Sequence, residues 1–132
     1  MSNCMIVRKN GVDLKNLQLQ NLLYDSGYQS GTMKRTYTFT LSEPIDLIIV
    51  NSSLGVGNDG AYGSATSTVN LYADDTLLGT STGTRGAHGM YYHKIKGNFA
   101  SNPIKNVRTI KVEYSSSDNE CNMKYDIDIV TI

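Results

Sequence analysis

From Lys34 to Leu41 the chain alternates without a slip: Tyr37, Phe39 and Leu41 take one set of positions, and Thr36, Thr38 and Thr40 the other. Successive side chains of an extended strand point to opposite faces, so this segment buries one face and shows the other to water. The same two-residue rhythm returns several times along the chain, while no segment sustains a helical period of useful length. An all-β fold follows.

Turn chemistry divides the rest. Cys4 to Val7 reads as a short strand running into Asn10-Gly11, a hairpin turn signal. Val12 to Leu23 carries both helical spacing (Leu14, Leu17) and an extended pattern (Leu17, Leu19, Leu22-Leu23-Tyr24), and the extended pattern is preferred. The strand from Met33 to Leu41 is expected to end at Glu43-Pro44. Ile45 to Val50 is the most apolar run and reads as a strand covered on both faces. Asn51 to Ser67, rich in Gly, Ser and Asn, is expected to be a long loop, and Ser81 to Gly89 a second one. Between them, Val69–Ala73 and Thr76–Thr80 flank Asp74-Asp75 as a hairpin. Met90 to Phe99, Val107 to Tyr114 and Lys124 to Ile132 each alternate as half-buried strands. About eight strands with regularly spaced turns suit a single antiparallel β-sandwich domain over residues 1–132. An up-and-down barrel also fits; the two glycine-rich stretches, read as crossings between sheets, favour a jelly-roll-like sandwich.

Composition narrows function chiefly by exclusion. Twelve basic and twelve acidic side chains cancel, whereas phosphate neutralisation leaves a nucleic-acid-binding domain basic. A polybasic membrane anchor is equally unsupported. No stretch approaches the roughly 20 apolar residues of a membrane span, and Met1 to Lys9 lacks the build of a secretory signal. These features predict a chain made in a bacterial cytoplasm or carried in a virion. Cys4 and Cys121 form neither a disulfide framework nor a C-x-x-C site; they meet only if the first and last strands are neighbours, and the preferred reading is two separate buried thiols.

Catalytic and cofactor motifs fail one by one. Gly55-Val56-Gly57-Asn58-Asp59-Gly60 matches G-x-G-x-x-G, but no helix follows to hold a pyrophosphate. His88 and His93 are five residues apart, which does not bring them onto one strand face as metal ligands. The G-x-S-x-G spacing of Gly79-Thr80-Ser81-Thr82-Gly83 is followed by no helix and so makes no nucleophile elbow. Asp126 and Asp128 share a strand face and are read as solvated edge carboxylates; Asp74-Asp75 and Asn58-Asp59 are turn residues first. The expectation is no enzyme, no catalytic residue, no metal and no cofactor.

Binding candidates are aromatic. The chain has nine Tyr, two Phe and no Trp, and tyrosine packs a ring while keeping its hydroxyl wet. Tyr62 sits in the first glycine-rich stretch, and Tyr91-Tyr92-His93 opens a strand after the second. Only one of Tyr91 and Tyr92 is expected to be exposed, because neighbours on a strand face opposite ways. Tyr62, Tyr91, Tyr92 and His93 are the candidate ligand- or partner-binding residues.

Leu23-Tyr24-Asp25-Ser26-Gly27, the Thr-rich strand Thr36–Leu41 and the Val69–Gly79 hairpin with its Asp74-Asp75 turn give the chain its texture. In these features it resembles the small all-β proteins of phage and prophage virions, tail-associated and decoration components among them. The resemblance implies a sandwich that works through self-association, contact with other virion proteins, or contact with a host surface. It carries no functional residue with it. The alternative is a carbohydrate-binding module that meets cell-surface glycan through its loop tyrosines.

Overall fold

The computed structural model describes residues 6–9, 12–24, 33–57, 64–86, 89–117 and 122–132. Among them the chain forms eight strands: β1 (Ile6–Lys9), β2 (Val12–Tyr24), β3 (Met33–Gly57), β4 (Ala65–Ala73), β5 (Thr76–Arg85), β6 (Met90–Asn98), β7 (Ile104–Ser116) and β8 (Asn122–Thr131). All pairings are antiparallel.

The organising element is β3, 25 residues long. Its first half pairs with β7, from Met33↔Ser116 to Thr40↔Thr109. Its second half pairs with β8 on one side and β6 on the other, as Asn51↔Asp128 and Asn51↔Lys96 show. Register shifts between Thr40 and Ile45, and again between Ile45 and Leu47, turn the strand from one sheet into the other. Two packed sheets result. The first runs β1-β2-β8-β3(second half)-β6, and the second runs β3(first half)-β7-β4-β5. With β3 counted in both, β2 to β8 supply four strands to each sheet, the arrangement of a jelly roll, and β1 extends the first sheet as a hairpin arm.

Three expectations are corrected here. Glu43-Pro44 does not end a strand; it lies in the bulged bend, exposed, where a residue without an N–H costs no ladder bond. The expected long loops are largely strand: β3 continues to Gly57, β4 begins at Ala65, and β5 runs to Arg85. Small polar residues sit in strands here because their hydrogen-bond partners lie on other strands. Ser52 is buried but donates to the Ile95 carbonyl (2.9 Å), and Thr66 and Thr68 pair with Thr84 and Thr82 (2.8 and 2.9 Å). The Ile45–Val50 run is covered on both faces only in part: consecutive Leu47 and Ile48 are buried, while Ile49 is 36% exposed on the outer side of the first sheet.

The core lies between the sheets. Val50, Leu54, Ile95, Ile127 and Ile129 of the first meet Val69, Leu71, Ile110, Val112 and Tyr114 of the second. Phe39 touches Tyr125 across the gap (centroids 4.6 Å). The β4–β5 turn is fastened to β7: Asp74, at φ 49°, accepts from the Arg108 amide (3.1 Å), the Thr109 amide (2.9 Å) and the Thr109 hydroxyl (3.1 Å).

At the β5–β6 seam two glycines let the sheets close. The space a Cβ would fill at Gly79 is taken by Ile95, and at Gly83 by the Tyr91 ring. Tyr62, His88, Cys4, Cys121, Asn58 and Asp59 lie outside the described residues.

Candidate functional site

In β6 the alternation divides Met90–Lys96 into two roles. His93 and Ile95 point into the sandwich, with Tyr91 half-buried beside them, while Tyr92, Lys94 and Lys96 face out. Tyr92 is therefore the exposed member of the tyrosine pair, at 45%.

His93 is fully buried and bridges the sheets. Its Nε2 lies 2.7 Å from Ser67 Oγ, its Nδ1 lies 3.0 Å from Ser81 Oγ, and the Tyr91 ring meets it edge-on (4.7 Å). Burial pushes its pKa down to about 4, against a weaker upward pull from the Ser81 backbone. The ring is neutral at pH 7 and presents no atom to a partner. Of the sequence candidates, His93 and Tyr91 hold the seam, and Tyr92 meets solvent.

Pairing registers assemble the outer face of the first sheet into rows. Asn51 lies opposite Asp128 and Lys96, and Gln18 lies opposite Asp128. In the next row Ser53 lies opposite Asp126 and Lys94, and Gln20 opposite Asp126. Beyond it, Gly55 lies opposite Lys124 and Tyr92. Lys94 Nζ donates to Ser53 Oγ (2.8 Å), and Gln18 Nε2 to Asp126 Oδ1 (3.4 Å). Burial and the neighbouring Asp126 charge hold Asp128 above the ordinary carboxylate range. A shallow groove of about 400 Å³ follows these rows, lined by Asn51, Ser53, Lys94, Lys96, Asp126 and Asp128.

At its end the Tyr92 ring rests on Gly55. A Cβ built there would sit 2.8 Å from Cε1 and 3.0 Å from Cδ1 of that ring. Glycine inside a strand often marks such a close approach. That signal was present in the sequence, although its cross-strand partner was not. Asp126 and Asp128 share one face as expected. Among the described residues no three His, Cys, Asp or Glu side chains gather as a metal-binding set.

A second groove, about 340 Å³, opens between β2 and the first half of β3 and is lined by Leu17, Leu19, Thr40, Leu41 and Ile45. Beside it, residues 33–40 of β3 pair with β7 on one side, and no described strand pairs with the other.

No family model matches the chain, and no curated protein matches it by sequence. Solved structures are similar to it in fold. A structure of the Gx strain of infectious bursal disease virus matches over 97% of this chain and 37% of its own, at 14% identity and a TM-score of 0.54. Dimeric latent PorU from Porphyromonas gingivalis matches over 89% of this chain and 12% of its own, at 12% identity and TM-score 0.52. The VP2 subviral particle of infectious bursal disease virus gives 0.48 at 15% identity, over 90% of this chain and 33% of its own. The chain thus spans about a third or less of the length of each. At these identities the likeness is one of fold.

Proposed function

We propose that the chain is a non-enzymatic structural module of a virion, phage or prophage in origin, that acts by assembling with copies of itself and by contacting a host surface. The observation that carries the assembly half is the apolar groove between β2 and the first half of β3. That groove is lined by half-buried Leu17, Leu19, Leu41 and Ile45, and among the described strands residues 33–40 of β3 pair with β7 alone. A groove of apolar side chains on the surface marks a place where another chain can pack. The fold likeness to a virus structure over nearly the whole chain supports the same reading.

The non-enzymatic part of this reading is supported by the state of the candidate groups. His93 is fully buried between two serines, where no substrate reaches it. The Asp126–Asp128 face is an open, shallow groove crossed by hydrogen bonds to Gln18 and bordered by lysines. Catalytic carboxylates are usually set in a water-excluding cleft.

Light scattering on the purified chain tests the assembly. The expected mass is that of a closed oligomer, and Leu41→Asp should reduce it to one chain while the circular-dichroism spectrum stays β-rich. A wild-type monomer at the highest soluble concentration would refute self-assembly.

A further inference from the structure

We propose that the outer face of the first sheet is a binding site for a neutral hexopyranose chain, with one sugar ring stacked on Tyr92 and the following rings lying along the groove between β8 and β6. The proposal deepens the host-contact half of the function above and does not depend on assembly.

Tyr92 provides the stacking platform. Its ring lies against Gly55, in the space a Cβ would occupy, and keeps 45% of its surface exposed. A platform already laid flat loses little rotamer freedom when a ligand settles on it. Sugar rings carry a face of C–H groups that packs on an aromatic ring, as other apolar surfaces do.

The groove supplies the polar half. Walking from Gly55 to Ile49 along β3, each second residue brings a row to the surface: Ser53 with Asp126 and Lys94, then Asn51 with Asp128 and Lys96. Ammonium groups donate, carboxylates accept, and amides and hydroxyls do both, which is what a ligand covered in hydroxyls requires. Six residues of strand span about 20 Å, the reach of roughly three or four linked hexopyranose rings.

The charge pattern selects against polyanions. Asp126 shares its row with Lys94, and Asp128 shares its row with Lys96, so the face has no uniform field to hold phosphate or sulfate. An apolar peptide is also poorly served, because the exposed Ile49 lies at the far end of the groove from Tyr92.

The test is affinity electrophoresis of the full chain through gels containing a soluble neutral glucan, mannan or galactan. Calorimetry with the matching hexasaccharide follows. At least one neutral polymer should retard the wild type. Tyr92→Ala should weaken binding about tenfold or more, while Tyr92→Phe, which keeps the ring, should stay within about threefold. Gly55→Val, which must lift the ring, should also weaken it.

Light scattering on Tyr92→Ala should return the wild-type mass, so that loss of binding is separated from loss of assembly. Three results would overturn the site: no neutral polymer retards the wild type, Tyr92→Ala binds as the wild type does, or only heparin or an oligonucleotide binds and salt abolishes it.

Discussion

His93 gives the chain a pH dependence that can be read from one side chain. Its pKa falls from an ordinary 6.5 to about 4 on folding because burial disfavours the charged ring. Both serine hydroxyls could accept from a protonated ring, so the cost is desolvation and not a lost hydrogen bond. Below pH 6.5 the unfolded chain binds a proton that the folded chain refuses. Stability is therefore complete above that pH and declines as pH falls toward 4, by roughly 2–3 kcal/mol.

The carboxylates act lower. The Asn106 amide is the main cause that holds Asp46 below the usual range. Burial would raise Asp74, but the Arg108 and Thr109 amides outweigh it. Urea midpoints between pH 7 and 5 should fall for the wild type and stay flatter for His93→Leu, a difference that isolates the histidine. Equal slopes would mean that the ring is already charged in the folded state.

At the scale of the element, the β5–β6 seam depends on having no side chain at Gly83, where the Tyr91 ring already fills the space. Gly83→Val has to expel that ring, which also contacts His93. It should cost about 1–3 kcal/mol, the usual penalty of overpacking, measured as a lower urea midpoint at unchanged m-value. A neutral effect would show that Tyr91 moves aside freely.

The long β3 shows how far element boundaries were legible. Alternation in Tyr37-Thr38-Phe39-Thr40-Leu41 located its first half correctly. Residues 51–57 looked like loop because inward Ser52 and outward Gly55 carry no apolar pattern. Their reasons for being there, the Ile95 carbonyl and the Tyr92 ring, are on another strand.

Over the whole molecule, partners in the sheets are remote in the chain. Lys15 pairs with Thr131, and Met33 with Ser116. Such pairings impose loop closure before any reward arrives, so stopped-flow refolding should proceed in milliseconds to seconds. Microsecond folding would contradict this topology. The jelly-roll expectation held, although the argument from two long crossing loops did not. The crossing is made by the bend inside β3 and by connections shorter than the composition suggested.

What the sequence determined alone was facing: which residues alternate to opposite sides, and with that the all-β class, the exposure of only one of Tyr91 and Tyr92, and the shared face of Asp126 and Asp128. A two-residue period is a local property of an extended backbone, so it can be read without knowing any neighbour. Adjacency was decided only by the tertiary structure. Gln18 meets Asp126, Ser53 meets Lys94 and Gly55 lies under Tyr92 because β2, β8, β3 and β6 lie side by side. Strand order comes from packing two greasy faces together across the whole chain, and no short stretch of sequence records it.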